Sequence, residues 1–408
     1  MAQSQLARRH ISELHELAAR LGIPRYRMLR RDELASEIQA RGGEGEVPPG
    51  DAPEVEASGA EAEEATEEVS GVIEVLPQRY GFLRVAGLDT AEDDVYVSAA
   101  QIRRCELRTG DEVAGPAREA RRDERHRALV HVDRVNGEEP STDERAGFDE
   151  LPAVKPARRV ALDTDPADVL ARSVDLLTPL ALGQRVLVRA APRSGRTELL
   201  RAMARAAVAA EAEVLVLLVD ERPEEATAWR QAVPESEFAI ATAEQAPAEQ
   251  ARTAQLALER ARRRAESGAD AVLIVDSLSR LAFASRQGDE VKRLFGSGRN
   301  LDGAGSLTVI ATLLEGALDG GEAGRAVITT ESSLIALDSE LAADGVYPAL
   351  RIAECRVSNE DELRGADELA AVRRLRSLLG DLDPRQAADL LRERIEGSAS
   401  NSELVASL

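Results

Sequence analysis

The chain is short of several residue types, and each shortage excludes something. There are two cysteines, Cys105 and Cys355, far apart in sequence, which argues against a disulfide framework and for a reducing compartment. The histidines (His10, His15, His126 and His131) do not combine with cysteines at metal-ligand spacing, so no structural zinc is expected. The longest apolar run, VLVLLV at 214–219, is far below the roughly 20 residues that span a bilayer. The polar start MAQSQLARRH is no signal peptide, and a soluble, cytoplasmic protein is expected. Of 52 basic residues only Lys155 and Lys292 are lysine, so an arginine at any one position is weak evidence by itself. Aromatics are scarcest, with one Trp, four Tyr and five Phe in 408 residues, so wherever they gather the concentration matters.

What is present suffices for several cores. A length of 408 residues with 43% hydrophobic content predicts two to four domains. The net charge of −22 argues at first against nucleic acid, whose phosphates are neutralised by Lys and Arg. That acidity is uneven. Residues 44–70 hold ten acidic side chains and no basic one, whereas 1–43 are net basic and 71–135 nearly neutral.

Along the chain, Leu6, Ile11, Leu14, Leu17, Ala18 and Leu21 fall at helical spacing, the pattern breaks at GIP, and it resumes in DELASEIQA. This predicts a small helical hairpin over 1–43. The Gly-, Pro- and Glu-rich stretch 44–70 predicts a disordered, self-repelling linker. The runs GVIEVL, YGFLRV, DVYVS, DEVAG and ALVHVDRV predict a small five-stranded β-barrel over 71–136. A connector covers 137–169. From 170 to 408 strands alternate with helices (RVLVRA, VLVLLVDE, FAIAT, AVLIVDS, SLTVIATLL), the signature of a mainly parallel sheet wrapped by helices, with two helices closing the chain.

Two groups of residues carry chemistry. In QRYGFLR, Tyr80, Phe82 and Arg84 are two apart and share one strand face, and Tyr96 in DDVYVS adds a ring from a neighbouring strand. Either these rings fill the barrel core, or they form a platform on which unstacked bases stack, with Arg84 near the phosphates or on a ring. The second group lies in the α/β region. RAAPRSGRTELL at 189–200 has the strand–turn–helix setting of a phosphate-binding loop, with Gly195-Arg196-Thr197 where Gly-Lys-Ser/Thr is usual. AVLIVDS puts Asp276, and VLLVDERPEE puts Asp220 and Glu221, at the ends of strands, where one carboxylate can hold a magnesium ion and the other orient an attacking water.

The segments YGFLR, DDVYVS, QIRR, LRTGD, LGQR, VDERPEE, VDSLSRL, KRLFGSGRN and SLTVIATLL, in this order, resemble the bacterial transcription termination factor Rho family. The resemblance implies a multidomain fold: the helical hairpin, a five-stranded OB-like (cold-shock-like) β-barrel and an α/β RecA-like P-loop ATPase domain. It implies ATP with Mg2+ as cofactor, single-stranded RNA as ligand and a hexameric ring of copies. It assigns Tyr80, Phe82, Arg84, Asp94, Tyr96, Glu124, Arg125 and His126 to RNA binding. Gly183, Gln184, Arg185, Arg193, Ser194, Gly195, Arg196, Thr197, Arg222, Arg280 and Tyr347 correspond to nucleotide-binding positions. Glu221 matches the catalytic carboxylate, Asp276 the magnesium-side aspartate, and Thr197 the hydroxyl beside the metal.

The chain also departs from the family. A planar guanidinium at Arg196 does not fit the space a compact ammonium takes between outer phosphates. The loop between SLSRL and KRLFG is cut to AFASRQGDEV, the second central loop reads EGALDGGEAGRAV, and Asn359 stands where the family's trans-acting arginine is expected, with Arg356 out of phase nearby. Two readings therefore stay open: an ATP-driven terminator acting on nascent RNA and RNA polymerase, or a non-hydrolysing paralogue that binds RNA and works as a regulator or partner of an intact family member. A rotary-type ATPase subunit shares the sheet but lacks the RNA barrel.

Overall fold

A computed structural model describes residues 66–408 except Asp123, 142–144, Ala157, 286–288 and 317–320. The expected hairpin over 1–43 and most of the acidic linker lie outside the described residues. The linker expectation is corrected at its end: strand β1 spans Thr66–Val75 and so begins five residues before the barrel was expected to. The reason is a long partner. β1 pairs antiparallel with β4 (Glu112–Arg118) from Thr66↔Arg118 to Val72↔Glu112, so TEEVS has a ladder to join and Val69 a core to enter.

Between them run β2 (Gly81–Arg84) and β3 (Val95–Val97), followed by β5 (Ala128–Leu129) and β6 (Arg134–Val135). The last expected run, ALVHVDRV, is thus split into two short strands. Pairing of β1 with both β2 and β4 closes the barrel through β3 and β5. Alternation fills it: Ile73, Leu83, Val95, Val97, Val113 and Ala117 point inward. QIRR lies on the helix Ala99–Arg104, which starts in a capping box between Ser98 and Gln101.

The connector is stitched to the α/β domain. β7 (Ala153–Val154) pairs with β14 (Arg299–Leu301), and β8 (Arg159–Val160) with β9 (Leu180–Ala181). Phe148 is buried with the Arg262 and Arg299 guanidiniums 5.1 and 4.8 Å from its ring. In the α/β domain, β10 (Arg185–Ala190), β11 (Glu213–Glu221), β12 (Glu237–Thr242), β13 (Asp270–Asp276), β15 (Ser306–Leu314), β16 (Ser333–Ala336) and β17 (Arg356–Val357) lie in the order β12-β11-β13-β15-β10-β16-β17. All neighbours in that order are parallel except β16 and β17. Parallel strands covered on both faces need near-continuous apolar sequence, and VLVLLV and SLTVIATLL supply it. Helices Ala366–Gly380, Pro384–Glu396 and Asn401–Ala406 end the chain.

The barrel docks on the longest helix of this domain, Pro247–Glu266. Gly110, at φ 93°, lies against it so closely that a Cβ would fall 2.4 Å from the Glu259 carbonyl carbon. Ion pairs Arg108–Glu266 (2.9 Å) and Arg260–Glu112 (2.5 Å) flank that contact.

Candidate functional site

On the barrel, the β2–β3 register sets Phe82 opposite Tyr96. Ring centroids stand 5.9 Å apart for Tyr80 and Phe82, 5.7 Å for Tyr80 and Tyr96, 6.1 Å for Phe82 and Tyr96, and 5.0 Å for Phe82 and His126. The barrel core is elsewhere, on the opposite face of the same strands. Tyr96 is 36% exposed and Tyr80, Phe82 and His126 are half-buried, so the four rings form one cluster at the barrel surface. That is the arrangement on which bases can stack.

Of the two expected places for Arg84, near phosphates or on a ring, its position in the fold is the one beside a ring, away from solvent. It is buried, in salt bridges with Glu74 and Asp94, and its guanidinium lies 5.9 Å from the centre of the Phe82 ring. Asp94 is buried with it and also accepts from the Ala91 N–H (3.0 Å). Its Oδ1 is buried without a hydrogen-bond partner among the described residues, leaving an acceptor in the floor beneath the rings. Glu124 and Arg125 are exposed at the rim. Arg118 grips Glu124 with two hydrogen bonds of 2.5 and 2.7 Å and, with the Arg121 N–H, brings its carboxyl down to about 2.

In the α/β domain the predicted loop leaves β10 and enters the helix Arg196–Ala209. Gly195 caps that helix at φ 87° and Arg193 precedes it at φ 65°, the left-handed turn that lets backbone N–H groups face one point. No side chain caps the helix start, so its first N–H groups can meet an anion. The Ser194 hydroxyl donates back to the Ala191 carbonyl at 2.7 Å and closes the turn. Arg193, Gly195, Arg196, Thr197, Glu198, Arg201, Arg205 and Glu225 line a cleft of about 670 Å3. Arg201, Arg205 and Glu225 were not expected there; Arg201 and Arg205 lie on a helix face beyond the loop motif, and Glu225 ends VDERPEE, in which only the first residues drew attention.

The carboxylates stand at the ends of the neighbouring strands β11 and β13, outside the residues that line the cleft. Arg196 Nη2 lies 3.4 Å from Asp276 Oδ1, which also accepts from the Thr312 hydroxyl at 3.0 Å. Burial pushes the Asp276 carboxyl up, with Arg196 the main opposing group. Glu221 is buried in a salt bridge with Arg280, while Arg222 is exposed at the start of the helix Pro223–Ala232. Tyr347 is 37% exposed beside the loop helix; burial and the neighbouring Glu198 and Asp168 push its phenol up to about 12.

Three residues do not join them. Gly183, Gln184 and Arg185 sit at the opposite end of β10, a strand of six residues or roughly 17 Å away. Their groups are spent on the fold: the Gly183 N–H donates to the Thr308 hydroxyl (2.8 Å), Gln184 accepts from Ala181 (2.9 Å), and Arg185 donates to the Thr330 and Gly298 carbonyls (2.6 and 2.8 Å). Within one chain they are structural. Arg356 is held by Glu331 at 2.5 Å, and Asn359 caps a short helix at φ 55°. Both central loops fall partly outside the described residues.

Known proteins match this arrangement. The Rho termination factor RNA-binding domain matches residues 69–141, and the nucleotide-binding domain of the ATP synthase alpha/beta family matches 171–294. A solved ATPase from the type III secretion system of pathogenic bacteria superposes on 68% of this chain and 93% of its own at TM-score 0.53 and 17% identity, a likeness of fold. A transcription termination factor Rho from Streptomyces lividans is 35% identical over 83% of this chain, which spans 51% of that relative. The Rho of Aquifex aeolicus is 32% identical with 99% of this chain and 95% of its own covered, and that of Bacillus subtilis 33% identical with 93% and 90% covered. With an OB-like barrel carrying a ring cluster and a RecA-like domain carrying a nucleotide loop, the chain belongs to the Rho transcription termination factor family.

Proposed function

We propose that this chain is a Rho-type terminator that grips single-stranded nascent RNA on Tyr80, Phe82, Tyr96 and His126 and takes up ATP at the Gly195–Thr197 loop. Copies act in a ring, hexameric by family, on transcripts still held by RNA polymerase in the cytoplasm. The observation that carries the reading is the cluster of four rings, which gathers three of the chain's ten aromatic side chains on one small barrel face. Stacking on such rings is worth roughly 1–3 kcal/mol per base. Binding of a labelled single-stranded RNA by the full chain and by Phe82→Ala tests it: a loss of at least tenfold is expected, and equal binding would refute the platform.

For nucleotide, backbone N–H groups at the loop would hold the phosphates, Thr197 and Asp276 the cation, and Tyr347 the base. The Thr197 hydroxyl and Asp276 carboxylate are hard oxygen donors of the kind Mg2+ takes. Bound with the nucleotide, Mg2+ would neutralise charge on the outer phosphates. Glu221, fixed by Arg280, would orient the attacking water. For a slowed motor the support is chemical: Arg196, 3.4 Å from Asp276, carries a planar guanidinium where the loop usually has a compact ammonium. In that reading nucleotide still binds, and RNA binding outlasts efficient hydrolysis.

A further inference from the structure

The floor beneath the RNA rings does not end within the barrel. Glu74, on β1, is buried opposite Phe82 in the β1–β2 register and bridges diagonally to Arg84, whose own opposite residue is Val72. Its other partner comes from the α/β domain: Arg252, on the helix Pro247–Glu266, binds both carboxylate oxygens of Glu74, one of them at 2.7 Å through Nη2. Arg84 Nε reaches Glu74 Oε2 at 3.1 Å, and its other branch binds Asp94. Burial pushes the Glu74 carboxyl up, but hydrogen bonds from Arg252 and Arg84 outweigh it and keep the group below the ordinary carboxylate range.

These contacts form a chain of alternating charge: Arg252, Glu74, Arg84, Asp94. Glu74, Arg84 and Asp94 are buried and Arg252 is 42% exposed, so loss of Arg252 leaves two buried anions sharing one buried cation beside the rings. Arg84 is also the member nearest Phe82, and the unpartnered Oδ1 of Asp94 lies at the far end. A guanidinium fork held on two sides has one rotamer, and a ring packed against it inherits that order.

We infer that Arg252, a residue of the motor domain, is a positioning residue for RNA: through Glu74 it fixes Arg84 against Phe82 and so sets the stacking surface of the barrel. This rests on the reading of the rings as the RNA platform. It makes the RNA grip a property of both domains together, and it ties the long helix on which the barrel docks to the residues that hold a base.

The test uses the full chain and a labelled single-stranded RNA of mixed sequence, titrated at several salt concentrations. Arg252→Gln should weaken binding about fivefold, because supporting residues fix the geometry of those that touch the ligand. Arg252→Lys should recover most of that loss, since it returns a cation to Glu74. The slope of log affinity against log salt should not change, because a residue that touches no phosphate releases no counterion. Arg108→Gln, which breaks a different ion pair across the same docking surface, should leave affinity within twofold and shows whether loosened docking alone matters. Unchanged binding in Arg252→Gln alongside a loss in Phe82→Ala would overturn the inference and leave the platform standing. A slope shallower by about one would also overturn it, since Arg252 would then be a phosphate contact. Unchanged binding in Phe82→Ala would instead remove the platform reading itself.

Discussion

The barrel face and the nucleotide loop keep their family chemistry to different degrees. On the barrel the ring row is in place: strand register brings Phe82 to Tyr96, the spacing of two brings Tyr80 alongside, and His126 stands where the family often has a tyrosine. At the loop the backbone is kept and one side chain is changed. Gly195 still takes the left-handed turn, the helix start is still uncapped, and Glu221 and Asp276 still stand at strand ends. Yet Arg196 brings to the cleft a planar guanidinium, 3.4 Å from Asp276, where a lysine is usual. A fold can hold its cradle by main-chain geometry while one side chain in it changes, because cradle and contact are specified by different residues.

The comparison breaks first at the barrel if the rings are not a platform. Phe82→Ala should cost at least tenfold in RNA affinity, about 1.4 kcal/mol or more, while ATP affinity stays within twofold. RNA titrations and nucleotide titrations on the same preparation check both halves.

Arg196→Lys sharpens the loop side. A lysine fits between outer phosphates and leaves Asp276 to the metal side, so ATP affinity should rise roughly tenfold and ADP affinity much less. Turnover should stay poor, because Asn359 and the altered central loops are untouched. Calorimetric titration with each nucleotide separates the two effects; an equal gain for ADP and ATP would mean that Arg196 was not acting at the outer phosphates.

The smallest effect is expected at Tyr347. Removing the ring with Tyr347→Ala should weaken ATP and ADP alike, by about threefold to tenfold, in line with a single aromatic contact. A loss confined to ATP would place Tyr347 near the phosphates and contradict its role at the base.

Much of this was legible before the structure. Period-two spacing gave the ring row, and the alternation of apolar strands with helices gave the sheet, because both follow from local geometry. What stayed hidden depends on partners distant in sequence. Nothing in GVIEVL says that Glu74 will meet Arg252, 178 residues away. Arg84 reads as a partner for phosphates or a ring, and nothing in its strand shows that Glu74 and Asp94 enclose it. Gly183, Gln184 and Arg185 read as site residues by motif, and only the direction of β10 shows them at its other end. The start of β1 inside an acidic stretch was equally invisible, since the strand exists because β4 is there to pair with it.

The measurement that bears most directly on the contrast between the ring-bearing barrel face and the altered nucleotide loop is the steady-state ATPase rate of the unmodified protein with saturating single-stranded RNA and Mg2+. Tight RNA binding with turnover below about 0.1 s−1, against roughly 10 s−1 for a typical enzyme, is the expected result. RNA-stimulated turnover of several per second would contradict it and show that Arg196 serves the outer phosphates as well as a lysine does.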